Sequence, residues 1–400
     1  MARFGAGFAA DADLVAAAEA AARQALDALG GRRPDLTCVF VAGAEPDDVA
    51  DAGSRAVEIC GASASLGCSA TGVLAASEAV EAGSAVAVWC AVLPDVRVRA
   101  FHLEVMPADG GGMAVVGMPE RAPDDSVAVL LADPWSFPVD GFVSRSNDAL
   151  VGLPIVGGCA NGLRGRGSTR LFLDGDVIDR GAVGVLLAGP VGARAVVSQG
   201  CRPIGPVMTV TASDGNVLLE LAGEPALQKL EEILTSVPPA EQALATRGLQ
   251  LGIAMDEYAD EHGVGDFLIR GIGGIDEERG GLVVGDLVSV GRTVQFQLRD
   301  AMTADDDLRS TLRRFRDRST LDNVEGVLLF SCNGRGAQMF TTADHDVTVV
   351  RDELAVDAVA GFFAAGEIGP VGGRNHMHGF TASLLAFGSG TAAARGTDTV

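Results

Sequence analysis

Lysine is nearly absent from this 400-residue chain, since Lys229 is its only lysine and arginine supplies the other basic residues. Acidic residues outnumber basic ones by 53 to 30, so the formal net charge is −23 and the pI is near 4.5. Nucleic acid and acidic lipid both need a basic protein face that releases their counterions. The charge therefore predicts that neither nucleic acid nor a membrane surface is a partner.

Long apolar runs are also missing, because no run approaches the roughly 20 residues of a membrane-spanning helix. The N-terminal segment carries acids where a signal peptide has its apolar centre. No pair of the seven cysteines has CxxC spacing, which disfavours a zinc site or a disulfide framework. We expect a cytoplasmic protein with reduced thiols, without membrane insertion, bound metal or cofactor.

The order of predicted elements places the chain in the α/β class, with mixed sheets covered by helices. A hydrophobic content of 48% supports two or three domains with full cores. The segment 1–34 is predicted to be an N-terminal helix leading into the first domain. The next predicted elements are a strand over Leu36–Ala42, a helix over Asp47–Cys60, and strands over Ala85–Leu93 and Val96–Val105 joined by a turn at Pro94–Asp95.

The first domain contains an internal duplication, over 36–105 and 126–199. A strand residue and a following cysteine are 29 residues apart in both copies, from Val39 to Cys68 and from Leu130 to Cys159. A similar order of elements is predicted near the C-terminus, with a strand at 326–330, a short helix near 352–359 and a strand at 362–366. We expect a first domain over 35–220, a related second domain over 221–390, and a disordered tail over 391–400.

Two segments carry most of the polar chemistry, Val327–Phe340 and Ala360–Thr381. Glycines and Pro370 in the second segment predict a loop that closes against sheet ends, and such loops commonly bind ligands. The residues predicted to bind a ligand there and at the equivalent strand ends are Cys68, Ser69, Thr71, Asn161, Cys332, Asn333, Arg335, Glu367, Asn375, His376 and His378.

Glu367 and Arg335 suggest how a zwitterion could be held between the two domains. A carboxylate between glycines could bind an ammonium group, and the Arg335 guanidinium has the fork geometry for a carboxylate. A structural salt bridge between these two residues is the alternative. His376 and His378 could orient a ligand, satisfy the fold, or bind a metal together with Glu367, although a third protein ligand is hard to identify.

The combination of GCSATG at 67–72, FSCNGRG at 330–336, and GFFAAGEIGP followed by His378 and Thr381 resembles the FIST family. The resemblance covers about 35–387, with FIST N-like and FIST C-like domains over 35–220 and 221–390. It implies a sensory or ligand-binding protein of signal transduction, with small ligands such as amino acids and no established catalysis. A stand-alone form would need a protein partner to pass on its signal.

Two other classes remain open. Cys68 or Cys332 could serve a cysteine-dependent acyl transferase or hydrolase, since a nearby Arg335 guanidinium would lower the pKa of the Cys332 thiol. Buried structural use of both cysteines is the alternative. A partner-binding scaffold without a small ligand is the third class. We expect a non-enzymatic protein.

Overall fold

The computed structural model describes residues 1–108, 112–162, 165–259, 262 and 265–389, so the predicted disordered tail at 391–400 lies outside the described residues. The chain forms two compact units. The three-repeat unit contains Met1–Val197 and the chain from Arg309 onward, and the barrel unit contains Ser198–Leu308. Within the described ranges, no helix is both long and apolar enough to cross a membrane.

The first repeat has the predicted strand and helix order, with one strand that the sequence did not reveal. Its elements are β1 (Arg3–Ala10), α1 (Leu14–Asp27), β2 (Leu36–Ala42), α2 (Pro46–Cys60), β3 (Ala64–Ala70), β4 (Val73–Ala75), β5 (Glu78–Val80) and β6 (Ala85–Val92). Segment 1–34 is therefore not helix alone. Gly5 and Gly7 let β1 lie so close to α1 that a Cβ at either position would clash with the helix backbone.

The second repeat has a strand in place of the first helix and then follows the same order. Its elements are β7 (Arg97–Pro107), β8 (Met113–Val116), β9 (Asp125–Ala132), α3 (Val139–Ala149), β10 (Ile155–Cys159), β11 (Leu171–Leu173), β12 (Asp176–Ile178) and β13 (Ala182–Ala188), and β14 (Ala193–Ser198) comes next. The turn predicted at Pro94–Asp95 is present and joins strands of two different sheets. β6 pairs with β1 and β2, whereas β7 pairs with β13 and β8, so the chain changes sheet at this turn.

The barrel unit interrupts the third repeat and is not a further α/β copy. Its elements are β15 (Cys201–Asp214), β16 (Val217–Leu221), β17 (Glu224–Pro225), α4 (Ala226–Ser236), α5 (Pro239–Gly248), β18 (Leu249–Ala254), β19 (Phe267–Asp276), β20 (Gly281–Val284) and β21 (Thr293–Arg299). Six antiparallel strands close into a ring in the order β15, β21, β18, β19, β20 and β16. The boundary predicted near 213–226 lies inside this unit.

The third repeat then continues with a helix that begins in the barrel unit and ends in the three-repeat unit. Its elements are α6 (Ala301–Arg318), β22 (Asn323–Cys332), α7 (Ala337–Phe340), α8 (His345–Leu354), β23 (Val359–Ala364), β24 (Glu367–Val371), β25 (Arg374–His378) and β26 (Ala382–Ser389). The helix predicted at 352–359 is wrong, since α8 ends where Ala355 adopts a positive φ of 52°. The β-branched run Val347–Val350 in α8 has low helix propensity, so the sequence did not indicate a helix there. In the folded protein, burial of these side chains outweighs that propensity.

Each repeat contributes a hairpin to the sheet of another repeat. The sheet orders are β1-β6-β2-β3-β11-β12, β25-β24-β10-β9-β13-β7-β8, and β14-β26-β22-β23-β4-β5. The second repeat therefore extends the first sheet, the third extends the second, and the first extends the third. The unit is a cyclic arrangement of three repeats, and buried side chains of all three meet in one core that includes Phe40, Leu131 and Phe362.

Three glycines occupy the same position in the three repeats and so show which residues correspond to one another. A Cβ at any of them would clash with the carbonyl oxygen of the residue paired with it on the neighbouring parallel strand. These pairs are Gly67 with Val39, Gly157 with Leu130, and Gly361 with Leu329. Cys68 comes one residue after its glycine and Cys159 two, so the predicted equivalence of the two cysteines is wrong. A one-residue offset places them on opposite faces of their sheets, in different core clusters.

Candidate functional site

The segment predicted to be a glycine-rich loop is a β-hairpin. β24 and β25 are joined by Gly372 and Gly373, whose φ values of 57° and 75° suit the tight turn. Pro370 is tolerated because only Glu367 and Ile368 of β24 pair with β10, so its missing N–H removes no bond to that strand. The hairpin places Glu367 inside the three-repeat unit, next to the end of β10.

Glu367 lies directly opposite His378 on the paired strand. Because side chains alternate along a strand, His376 shares this face of the hairpin, while Ile368 and Met377 on the other face pack against the core that contains α3. His378 is buried and His376 is half-buried, so His378 is the histidine beside the carboxylate.

The Glu367 carboxylate is completely buried. Its Oε2 accepts hydrogen bonds from the Thr381 backbone N–H at 3.1 Å and from the Thr381 hydroxyl at 2.8 Å. No hydrogen bond of ordinary geometry reaches Oε1 from the described residues. Burial raises the pKa of Glu367 to about 8, although Thr381, the Cys332 thiol and the charge of Arg335 each lower it. Glu367 is therefore mainly a neutral acid at pH 7.

His378 is positioned by the hairpin itself, since its Nε2 lies 3.0 Å from the Gly369 carbonyl oxygen. The centroids of the His376 and His378 rings are 6.0 Å apart. Among the described residues, no group of three or more His, Cys, Asp or Glu side chains has the geometry to hold a metal ion. The arrangement provides an acid and an imidazole on one face, which can exchange hydrogen bonds with a polar ligand.

Arg335 is paired with Asp346, an acid that the sequence analysis missed. The guanidinium is buried and donates to Asp346 through Nε at 2.7 Å and Nη2 at 3.0 Å. Burial alone would raise the pKa of Asp346, but the charge of Arg335 and hydrogen bonds with His345 and Ser331 hold it well below its usual value. The predicted Arg335–Glu367 salt bridge is therefore wrong, and the fork expected to hold a ligand carboxylate is occupied by Asp346.

The cysteines near the site are protonated thiols. Burial raises the pKa of Cys159 to about 12, with a further contribution from the Glu367 charge, and the same two causes raise that of Cys332 well above its usual value. Burial also raises the pKa of Cys68, whose side chain faces the shared core. The expected lowering of the Cys332 pKa is wrong, because burial and the Glu367 charge raise it. Asn333, next to Cys332, is exposed.

Asn375 is a structural residue. Its Oδ1 accepts from the Ile155 N–H at 2.9 Å, and its Nδ2 donates to the Leu153 carbonyl at 2.9 Å and to the Ser146 hydroxyl at 3.3 Å. Both ends of the amide are thus used to fasten the hairpin to the start of β10 and to α3. These hydrogen bonds give Asn375, a predicted ligand-binding residue, a role in the fold.

Ser69, Thr71 and Asn161 meet where β3 and β10 end. The Asn161 N–H donates to the Ser69 carbonyl at 3.3 Å, and the Thr71 N–H donates to Asn161 Oδ1 at 2.7 Å. Cys159, two residues before Asn161, donates its N–H to the Gly366 carbonyl at 2.8 Å. Asn161 follows β10, the strand that pairs with Glu367 through Gly158, and it links the end of β3 to that strand.

The other two hairpins show which side chains the fold itself requires at the Glu367 and His378 positions. The equivalent cross-strand pairs are Val73–Val80 in β4–β5 and Leu171–Ile178 in β11–β12. Two apolar pairs thus fill positions where the third repeat has an acid and an imidazole. The polar pair is a departure from the repeat and not a requirement of the hairpin.

Two further polar residues are particular to the third repeat and were not predicted as site residues. The register makes Thr381 equivalent to Ala85 and Gly181, and Ser383 equivalent to Ala87 and Val183. Thr381 supplies both donors to Glu367, and the Ser383 hydroxyl donates to the Ile368 carbonyl at 2.8 Å. Both are polar residues inside the apolar run at 380–387, and this interruption was the sequence feature that could have identified them as site residues.

Comparisons with known proteins cover both halves of the chain. A FIST N domain model matches residues 35–224 and a FIST C domain model matches 226–370. Uncharacterized proteins of Mycobacterium tuberculosis and Mycobacterium bovis are 43% identical over 385 residues, covering 96% of this chain and 98% of the Mycobacterium bovis protein. The two domain models meet near the boundary predicted from sequence, inside the barrel unit.

Proposed function

Because the chain belongs to the FIST family, whose domains are associated with signal transduction and sensing, we propose that it is a sensory protein that binds a small polar metabolite at Glu367 and His378. A cytoplasmic location and a protein partner that receives the signal are parts of this proposal. Neither nucleic acid nor a membrane is proposed as a partner.

The buried Glu367 carboxylate carries the proposal. An acid in this position is unfavourable for folding, because burial opposes its ionisation and the equivalent positions hold apolar side chains. Strongly shifted acids that the fold does not require are typical of functional sites. His378 lies opposite and would orient the ligand, while Asn161, which is bonded to Ser69 and Thr71, follows the strand that pairs with Glu367.

Access to this carboxylate would be from the side of Ala365 and Asn333. Both residues are exposed, and the Asn333 N–H donates to the carbonyl of Ala364, which adjoins Ala365. Glu367 is two residues further along the chain from Ala365. A small ligand would therefore reach the acid after a short displacement of the strand ends.

A ligand screen tests the proposal. Thermal unfolding would be followed with a panel of amino acids, amines and neutral metabolites, since a ligand that binds the folded state raises the Tm. A positive compound should lose its effect in Glu367→Gln and keep it in Asp352→Asn, a control that removes an exposed acid outside the site. No stabilisation by any compound, or equal stabilisation of both variants, would contradict the proposal.

The cysteine-dependent enzyme gains no support from the geometry. Cys68 and Cys332 have raised pKa values, whereas a nucleophilic thiol needs a lowered one. A scaffold without a small ligand would give a defined complex with a partner protein and no response in the ligand screen.

A further inference from the structure

We propose that the ligand is a small primary amine without an α-carboxylate, bound as its ammonium ion by Oε1 of Glu367 after this oxygen loses its proton. The inference rests on the proposed function and specifies the class of ligand at the same site. It departs from the amino acids that the resemblance implies.

The hydrogen bonds of Glu367 decide which oxygen carries the proton. A backbone N–H can only donate, so the Thr381 N–H requires Oε2 to accept. The carbonyl oxygen of a neutral acid is the better acceptor, so this contact favours a proton on Oε1, the oxygen that no described residue reaches with a hydrogen bond of ordinary geometry. Oε1 can donate while it is protonated and can accept from an ammonium group once it is ionised.

The surrounding charges favour a cation as the ligand. Arg335 and Asp346 form a buried pair that is neutral overall. Cys159 of β10 and Cys332 of β22 remain protonated because their pKa values are raised. His378 of β25 faces Glu367 across the hairpin. The Arg335 charge that lowers the pKa of Glu367 is shared with Asp346, so a bound ammonium ion would give ionised Glu367 a closer counter-charge in a site where burial strengthens the attraction.

The same charges disfavour an α-carboxylate on the ligand. Arg335 was the candidate for holding this group, and its fork is occupied by Asp346 at 2.7 and 3.0 Å. A ligand carboxylate would lie beside ionised Glu367, whose like charge repels it, while the Arg335 guanidinium already binds Asp346. An amine should therefore bind more tightly than the amino acid with the same side chain.

Calorimetry with matched ligand pairs tests the inference on the full chain. The pairs are ethylamine with alanine, putrescine with ornithine, and cadaverine with lysine, which differ only by the carboxylate. At least one amine should bind about tenfold or more tightly than its partner. Titration at pH 7 in phosphate and in HEPES, whose ionisation enthalpies differ and neither of which is a primary amine, should show release of up to one proton. Affinity should rise about tenfold per pH unit below pH 8 and level off above it.

Two variants separate the ionised acid from the neutral one. Glu367→Gln keeps a donor at the Oε1 position but cannot ionise, so amine binding should weaken at least about tenfold. Thr381→Val removes one donor to Oε2 and should weaken amine binding at pH 7, with recovery at pH 9. Asp352→Asn serves as the control, and unchanged binding in it would support the assignment.

Several outcomes would overturn the inference. These are amino acids binding as tightly as their amines, amine binding retained in Glu367→Gln, and amine binding without proton release. If a neutral metabolite binds in a Glu367-dependent manner and no amine does, the inference fails while the proposed function stands. If no compound of any class binds, both fail.

Discussion

The β24–β25 hairpin and its two counterparts have the same backbone pairing but different side chains. In β4–β5 and β11–β12 the leading cross-strand pair is apolar, whereas β24–β25 begins with Glu367 opposite His378. All three hairpins extend a sheet of another repeat, so their structural task is the same. The comparison teaches that the third repeat keeps an acid at the expense of stability, which is expected of a functional site.

The largest expected effect comes from placing an acid in an apolar hairpin. Leu171→Glu should lower the free energy of unfolding by about 4 kcal/mol or more, because it removes a buried leucine and buries a carboxyl group. The position equivalent to Thr381 in this repeat is Gly181, which has no hydroxyl to offer. Urea unfolding at pH 7 would measure the loss.

Leu171→Met is the control for this substitution, since it conserves volume and should cost less than about 1.5 kcal/mol. A loss below about 1 kcal/mol for Leu171→Glu would mean that any of the hairpins accepts an acid. The contrast between the repeats would then carry no functional meaning.

The reverse exchange should stabilise the protein. Glu367→Leu with His378→Ile copies the pair of β11–β12 into β24–β25. The pKa of about 8 against an ordinary value of 4.5 means that Glu367 costs about 3 kcal/mol of folding free energy at pH 7, which the double variant should recover. Urea unfolding would show the gain, and ligand binding should disappear. Destabilisation of the double variant would indicate that the polar pair is needed for the fold.

The pH dependence of stability sharpens the same comparison. Between about pH 4.5 and 8 the folded protein holds a proton on Glu367 that the unfolded chain releases. The free energy of unfolding should therefore fall as pH rises, by roughly 1.4 kcal/mol per pH unit, and level off above pH 8. Asp346, with its lowered pKa, and the thiols, with raised ones, contribute outside this window.

Glu367→Gln is the reference, because the difference between its curve and that of the native chain cancels the other titrating groups. Unfolding in urea at half-unit pH steps would give both curves. Parallel curves from pH 5 to 8 would show that the pKa of Glu367 is not raised.

The sequence was most informative about buried parallel strands and their helices. Apolar runs such as Leu36–Ala42 marked the core, and the recurring order of elements revealed the repeat. β1 was not predicted because its alanines and glycines have low strand propensity. Its close contact with α1 is a tertiary feature that the local sequence does not show. The exchange of hairpins depends on pairing between distant segments, which no local pattern contains.

At the site, residue types were predicted more accurately than partners. Glu367 and Arg335 both stood out between glycines, but the spacing could not show that Asp346, eleven residues after Arg335, lies closer to the guanidinium than Glu367 does. The offset between Cys68 and Cys159 was hidden for a similar reason, since equal spacing along the chain does not guarantee equal register. Partner choice and register are set by packing across the sheets.

The smallest expected effect concerns the cysteines, and it compares Cys332 of the third repeat with Cys68 of the first. Both are buried thiols with raised pKa values, so neither should be alkylated by iodoacetamide at pH 7.5 in the folded protein. Intact-mass spectrometry should show no added mass in the native state and seven adducts in guanidinium chloride, one for each cysteine. Rapid labelling of Cys332 alone would mean that Arg335 activates its thiol despite Asp346. The third repeat would then hold a nucleophile where we infer only a neutral acid and an imidazole.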